Sequence, residues 1–209
     1  TFRNKLLLNQ WLISLFGINP LAEHKEGNRK VLPFHVLARP IRDPRLEGLD
    51  ADNLHHFYHE LVRSDLFWNE FSKVSKEQIL VYEQNIVRHT QALNEKRQRP
   101  IAWKYYQWLS LLFTEIYLDR YFRDPDKLLT DLNAYVDHFN ANWPKYADVL
   151  PFQRDDLNKV CLQNATGSGK TLLMHIQIGQ FEHYADLRLY FQLYVQCNDM
   201  AIYANDMLI

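Results

Sequence analysis

The stretch V-C-L-Q-N-A-T-G-S-G-K-T, residues 160–171, decides how the C-terminal part of the chain is read. The apolar run Val160, Cys161, Leu162 predicts a strand over 160–163, and a helical pattern follows from Gly169 to Tyr184. Strand, glycine-bearing turn and helix in that order form the context a phosphate-binding loop requires. Gly167 and Gly169 lack a Cβ, so the backbone can curl and aim several N–H groups at one anion. The helix behind them adds unpaired N-terminal donors and the positive end of its dipole. Lys170 would neutralise β- and γ-phosphates, and the Thr171 hydroxyl would coordinate Mg²⁺ carried by the nucleotide. Thr166, Gly167, Ser168, Gly169, Lys170 and Thr171 are therefore the candidate nucleotide-binding residues, with Lys170 and Thr171 in the catalytic role. The competing reading is a glycine turn that simply caps a helix.

Working outward, the rest of the chain predicts helices. Residues 1–17 carry Leu6, Leu7, Leu8, Trp11, Leu12, Leu15 and Phe16 at helical spacing, stopped by Asn19-Pro20. Residues 21–50, with Pro33, Pro40 and Pro44 among alternating charges, read as an extended polar linker. A short helix follows over residues 53–63. Ser75 and Gln78 form a capping box for a helix over 75–97, with Ile79, Tyr82, Ile86 and Leu93 on one face. Residues 101–122 are apolar over most of the helical circumference, which predicts a central helix packed on more than one side. Pro125 opens a third long helix, ended near Trp143-Pro144. The character changes after Pro151, where residues 187–195 read as β-rich, and Leu172, Leu173, Ile176 and Phe181 are expected to face a sheet. The predicted fold is a mainly α N-terminal domain, 1–144, followed by the start of a P-loop α/β (RecA-like) domain, 145–209, left incomplete.

Composition narrows the class. The chain has 209 residues, 47% of them hydrophobic, with 12 Tyr, 12 Phe, 5 Trp and only 6 Gly, a balance suited to packed helices. A net charge of −1 supplies no overall pull toward nucleic acid or an anionic membrane, so such contact must be local. Two cysteines, Cys161 and Cys197, make no disulfide framework. No stretch reaches the roughly 18 apolar residues of a membrane span and no secretory signal opens the chain, which predicts a cytoplasmic location without membrane contact.

Other clusters have plain explanations. His55 and His59 are spaced i, i+4, a spacing able to hold a metal, but they lack the glutamate of H-E-x-x-H and a third ligand, so solvated or aromatic-packed histidines are expected. His175 and His183 read as structural. Asp124-Pro125-Asp126-Lys127 reads as a helix start. Lys96, Arg97 and Arg99 suit a helix C-terminus, with a phosphate-contacting patch as the alternative.

The segment A-T-G-S-G-K-T resembles motif I of superfamily 2 helicases and translocases of the DEAD/DEAH type, particularly the motor (Res) subunits of type III restriction enzymes. Those proteins carry an upstream glutamine after an aromatic residue, and Pro151-Phe152-Gln153 matches that pattern here. The resemblance implies that Gln153 hydrogen-bonds adenine and that Phe152 packs nearby. It covers only about residues 150–185. Asn164 stands where the general loop has glycine, and the six residues between Gln153 and Val160 are fewer than the family has. The paired acids that hold Mg²⁺ in such motors do not follow: Asn198-Asp199-Met200 has no adjacent acidic partner. The expectation is thus an ATP- and Mg²⁺-binding N-terminal part of an ATP-dependent helicase or translocase. It would act on DNA rather than RNA through the full-length protein, and a protein partner could dock on the helical domain. Taken alone, the chain is expected to turn ATP over weakly or not at all. The alternatives are a different P-loop NTPase, or a helical protein-interaction module with an incomplete nucleotide site.

Overall fold

A computed structural model describes residues 6–95, 97–143, 149–160 and 168–186. The fold is organised around one helix, α5 (Tyr105–Arg123), in which every residue from Gln107 to Leu118 is buried. More than three turns with no solvent-facing side require partners all round, and the chain supplies them. Helices α4 (Lys76–Asn94) and α7 (Lys170–Asp186) pack together along one side. Helices α1 (Leu7–Ser14) and α6 (Pro125–Asn142) close another, and α3 (His56–Arg63) lies against α4. Trp108, Leu109, Leu112, Phe113 and Ile116 form the centre, each 0% exposed. Side chains of this size each contribute about 1.5–3 kcal/mol when fully buried.

Local signals account for the helix ends. Ser75 accepts from the Gln78 N–H and the Gln78 side chain accepts from the Ser75 N–H, closing the expected capping box at α4. Asp124 accepts from the Lys127 N–H at 2.9 Å, with Pro125 at the first helical position of α6, where a missing N–H costs nothing. The Asp124–Lys127 acids and base are therefore a helix start. The first four residues of the stretch expected to be helical from Ile101 lie outside α5, which begins at Tyr105.

Residues 21–50 depart from the expected linker. They hold an antiparallel hairpin of β1 (His24–Glu26) and β2 (Arg29–Val31), the short helix α2 (Pro33–Ala38) and two 3₁₀ turns, Arg39–Ile41 and Pro44–Leu46. Leu37, Ala38 and Ile41 are buried in the main core. The prolines here start turns of helix instead of breaking them, and three apolar residues at close helical spacing suffice to dock the segment.

Among the described residues the β1–β2 hairpin is the only sheet, and the fold is mainly helical. The face of α7 expected to meet a sheet meets helices instead. Leu173 and Ile176 are buried in the same core as α5, and Leu172 and Phe181 pack against it. A helix face reads the same in sequence whether its partner is a sheet or two other helices. Of the expected strand 160–163, Val160 is described and lies in no strand; residues 161–163, the β-rich segment 187–195, Lys96, both cysteines and Asp199 lie outside the described residues.

Candidate nucleotide site

The described part of the glycine-bearing turn is residues 168–171. Gly169 has φ +80°, the left-handed region that an L side chain rarely adopts. Its carbonyl accepts from the N–H groups of Leu172 and Leu173 at 3.0 and 3.1 Å, which launches α7. The N–H groups of Lys170 and Thr171 belong to the first turn and have no acceptor within the helix. Both side chains are exposed, and no described carboxylate pairs with Lys170. A helix start whose two first-turn N–H groups have no acceptor among the described residues, with an exposed ammonium and hydroxyl beside them, is chemically able to take up a phosphate.

Ser168 faces the other way. It is 8% exposed, and its carbonyl accepts a hydrogen bond from Gln107 Nε2 of α5 at 2.7 Å. Among the described residues its Oγ has no partner. Gln107 reaches this carbonyl while its Oε1 accepts from the Lys104 N–H at 2.8 Å, closing the start of α5. Lys104 in turn pairs with Glu47 at 2.7 Å. A Cβ at position 169 would lie 2.7 Å from Gln107 Nε2, the far end of a side chain that would have to shift, and the φ itself favours glycine there.

The rest of α7 is fastened by a polar seam along α5. Gln177 Nε2 donates to Thr114 Oγ1 at 3.4 Å, Gln180 Nε2 to the Leu111 carbonyl at 3.0 Å, and the Tyr184 hydroxyl to Glu115 Oε2 at 2.8 Å. Positions 177, 180 and 184 share one helix face, and 111, 114 and 115 share the opposing one. Asn85 of α4 donates to the same Glu115 oxygen at 2.9 Å, whereas Oε1 has no partner among the described residues. Burial pushes the Glu115 carboxyl up to about 7, against the lowering effect of the hydrogen bonds from Asn85 and Tyr184. On the α4 side, Gly179 lets His89 come close: a Cβ there would sit 3.0 Å from His89 Nδ1. Desolvation, with Arg88 and His183 nearby, lowers His89 to about 4.

The adenine-side candidates occupy a different setting. Phe152 is half-buried and packs against both hydrophobic clusters of the molecule. Asn133 of α6 pins its backbone, accepting from the Phe152 N–H at 2.7 Å and donating to its carbonyl at 3.1 Å. Gln153 is exposed. Its N–H donates to Asp156 Oδ2 at 2.8 Å and its Nε2 to the Pro151 carbonyl at 3.5 Å, at the start of the 3₁₀ turn Arg154–Asp156. Neither residue hydrogen-bonds to residues 168–171. Thr166 and Gly167 lie outside the described residues.

The histidines at 55 and 59 take carboxylate partners that the sequence reading did not include. His55 is 2% exposed, and its N–H and Nδ1 contact Glu83 Oε1 at 2.6 and 2.7 Å. Trp108 Nε1 donates to Glu83 Oε2 at 2.8 Å. His59 Nε2 lies 2.5 Å from Asp50 Oδ2. Each of the two histidines thus has its own carboxylate. His175 is exposed, and His183 packs by its ring on His89 and Tyr184. Among the described residues no group of three or more His, Cys, Asp or Glu is placed to hold a metal, and no helix is long and apolar enough to cross a membrane. Arg97 and Arg99 are exposed beyond the end of α4.

Sequence reasoning did not find Gln107, Glu83 or Glu115. The carboxylates did leave a signal: Glu83 falls on the buried face with Ile79, Tyr82 and Ile86, and Glu115 interrupts an otherwise apolar run. No family model, curated protein or solved structure matches the chain.

Proposed function

We propose that this chain binds ATP through residues 168–171 and is the N-terminal part of an ATP-dependent motor acting on nucleic acid. The observation that carries the reading is Gly169 in the left-handed conformation immediately before α7, with Lys170 and Thr171 exposed on the first turn. In that reading Lys170 contacts the β- and γ-phosphates and Thr171 holds the Mg²⁺ that arrives with the nucleotide. Thr166 and Gly167 complete the loop, and Phe152 and Gln153 serve the adenine. A RecA-like domain, a DNA substrate in preference to RNA and the likeness to restriction-type motors belong to the same proposal, and rest on the residues of the motif. Without paired acids after the loop, the chain alone hydrolyses ATP slowly or not at all.

Titration with a fluorescent ATP analogue in Mg²⁺ tests this. Saturable binding that weakens at least about tenfold in Lys170→Ala is expected, a loss near 1.4 kcal/mol. Binding that is absent, or indifferent to Lys170, would overturn the proposal. A second reading has its own observation: α7 is fastened to α4 and α5 through a shared core, as in a helical interaction module in which the glycine turn only starts a helix.

A further inference from the structure

One buried amide joins the start of α5 to the turn before α7. Gln107 is 8% exposed, and both ends of its side chain are used: Oε1 accepts from the Lys104 N–H, and Nε2 donates to the Ser168 carbonyl at 2.7 Å. The contact spans 61 residues of sequence, so it is a tertiary restraint on the turn. Its consequence follows from the planar trans peptide, in which the carbonyl of one residue and the N–H of the next point in opposite directions. With the Ser168 carbonyl held toward α5, the Gly169 N–H is directed away from α5. A carbonyl free to rotate would let that peptide flip, because Gly169 tolerates both signs of φ.

From this geometry we infer that Gln107 is a positioning residue for nucleotide binding, fixing the Ser168–Gly169 peptide so that the Gly169 N–H is presented to phosphate. The inference rests on the ATP-binding reading above and adds its control by the helical region. Lys104, whose N–H caps on Gln107, is tied to Glu47, so residues 44–47, the start of α5 and the phosphate turn are linked in series. A Cβ at 169 would displace the Gln107 amide from its place beside the turn, and the positive φ of Gly169 favours glycine there.

Gln107→Glu separates the two jobs of the side chain. It keeps an oxygen to accept from the Lys104 N–H, and glutamate suits that capping position. It replaces the donor facing Ser168 with an acceptor. The full chain, Lys170→Ala, Gln107→Glu and the uncharged Gln107→Met are compared by titration with the fluorescent ATP analogue, with far-UV circular dichroism as the check on folding. The expected result is Lys170-dependent binding by the unaltered chain and affinity about tenfold weaker in both Gln107 variants at unchanged helicity. If the unaltered chain shows Lys170-dependent binding and a folded Gln107 variant matches its affinity, the positioning role is wrong and the ATP-binding reading survives. If the unaltered chain shows no Lys170-dependent binding, both fall together.

Discussion

Among the described residues two carboxylates are sealed inside this molecule, Glu83 on α4 and Glu115 on α5, and each is 0% exposed. They are solvated differently by the protein. Glu83 has donors at both oxygens: the His55 N–H and ring at Oε1, and the Trp108 indole at Oε2. It ties the entry to α3 onto α5 with three contacts. Among the described residues, Glu115 receives Asn85 and Tyr184 at one oxygen only, and the other has no partner. The first is a saturated staple. The second is an under-satisfied group that burial holds toward its neutral form, and it sits where α7 docks. Within one core, the helix that carries the candidate phosphate turn is thus held by the less complete of the two networks.

The largest effect should come from Glu83→Ala. It strands the Trp108 and His55 donors in a dry core and should cost about 3–5 kcal/mol, read by urea unfolding. If that loss came out no greater than the loss from Glu115→Ala, the contrast between staple and seam would disappear.

Next in size is the pH dependence carried by Glu115. The folded-state value of about 7 lies above the ordinary 4.5, so between those values the folded chain holds a proton the unfolded chain has released. Its stability contribution is intact below pH 4.5, falls as pH rises to 7, and stays lost above. The span is on the order of 3 kcal/mol. Glu115→Gln should remove that part of the slope in denaturant midpoints measured from pH 4.5 to 8, and a slope left unchanged would contradict the assignment. The other ionisable groups around this seam are Tyr184, Arg88, Tyr82, Asp119, His89 and His183.

His89 works in the opposite direction. Its folded-state value, lowered to about 4 from 6.5, means that the unfolded chain binds a proton first, so stability is lost as pH falls from 6.5 toward 4. His89→Phe should flatten the acid side of the profile, by less than Glu115→Gln flattens the neutral side, because the ring is only half-buried. The smallest change is expected for Gly179→Ala. The better helix former gains up to about 1 kcal/mol, offset by the crowding of His89, so the unfolding midpoint should move little.

What could be read from sequence follows the same physics. Helices α4, α5 and α6 were legible because apolar spacing, the Ser75–Gln78 box and the Asp124-Pro125 start all agree on them. The segment carrying Leu37 and Ile41 was not, since short turns between prolines have no period to detect. The face of α7 was read correctly as apolar at Leu173 and Ile176, yet its partner was misjudged, because periodicity reports burial and not what does the burying. The glycine turn at Gly169 and the helix start at Lys170 were legible as backbone features of the motif. Gln107 was not, for a glutamine three residues into a helix looks like an ordinary cap until the chain 61 residues later arrives beside it.

The most direct measurement is an amide NMR titration of the chain with ATP and Mg²⁺, following Gly169, Lys170 and Thr171. Saturable downfield movement of the Gly169 and Lys170 amide protons, lost in Lys170→Ala, is the expected result. Unchanged positions for all three amides at millimolar nucleotide would contradict the account.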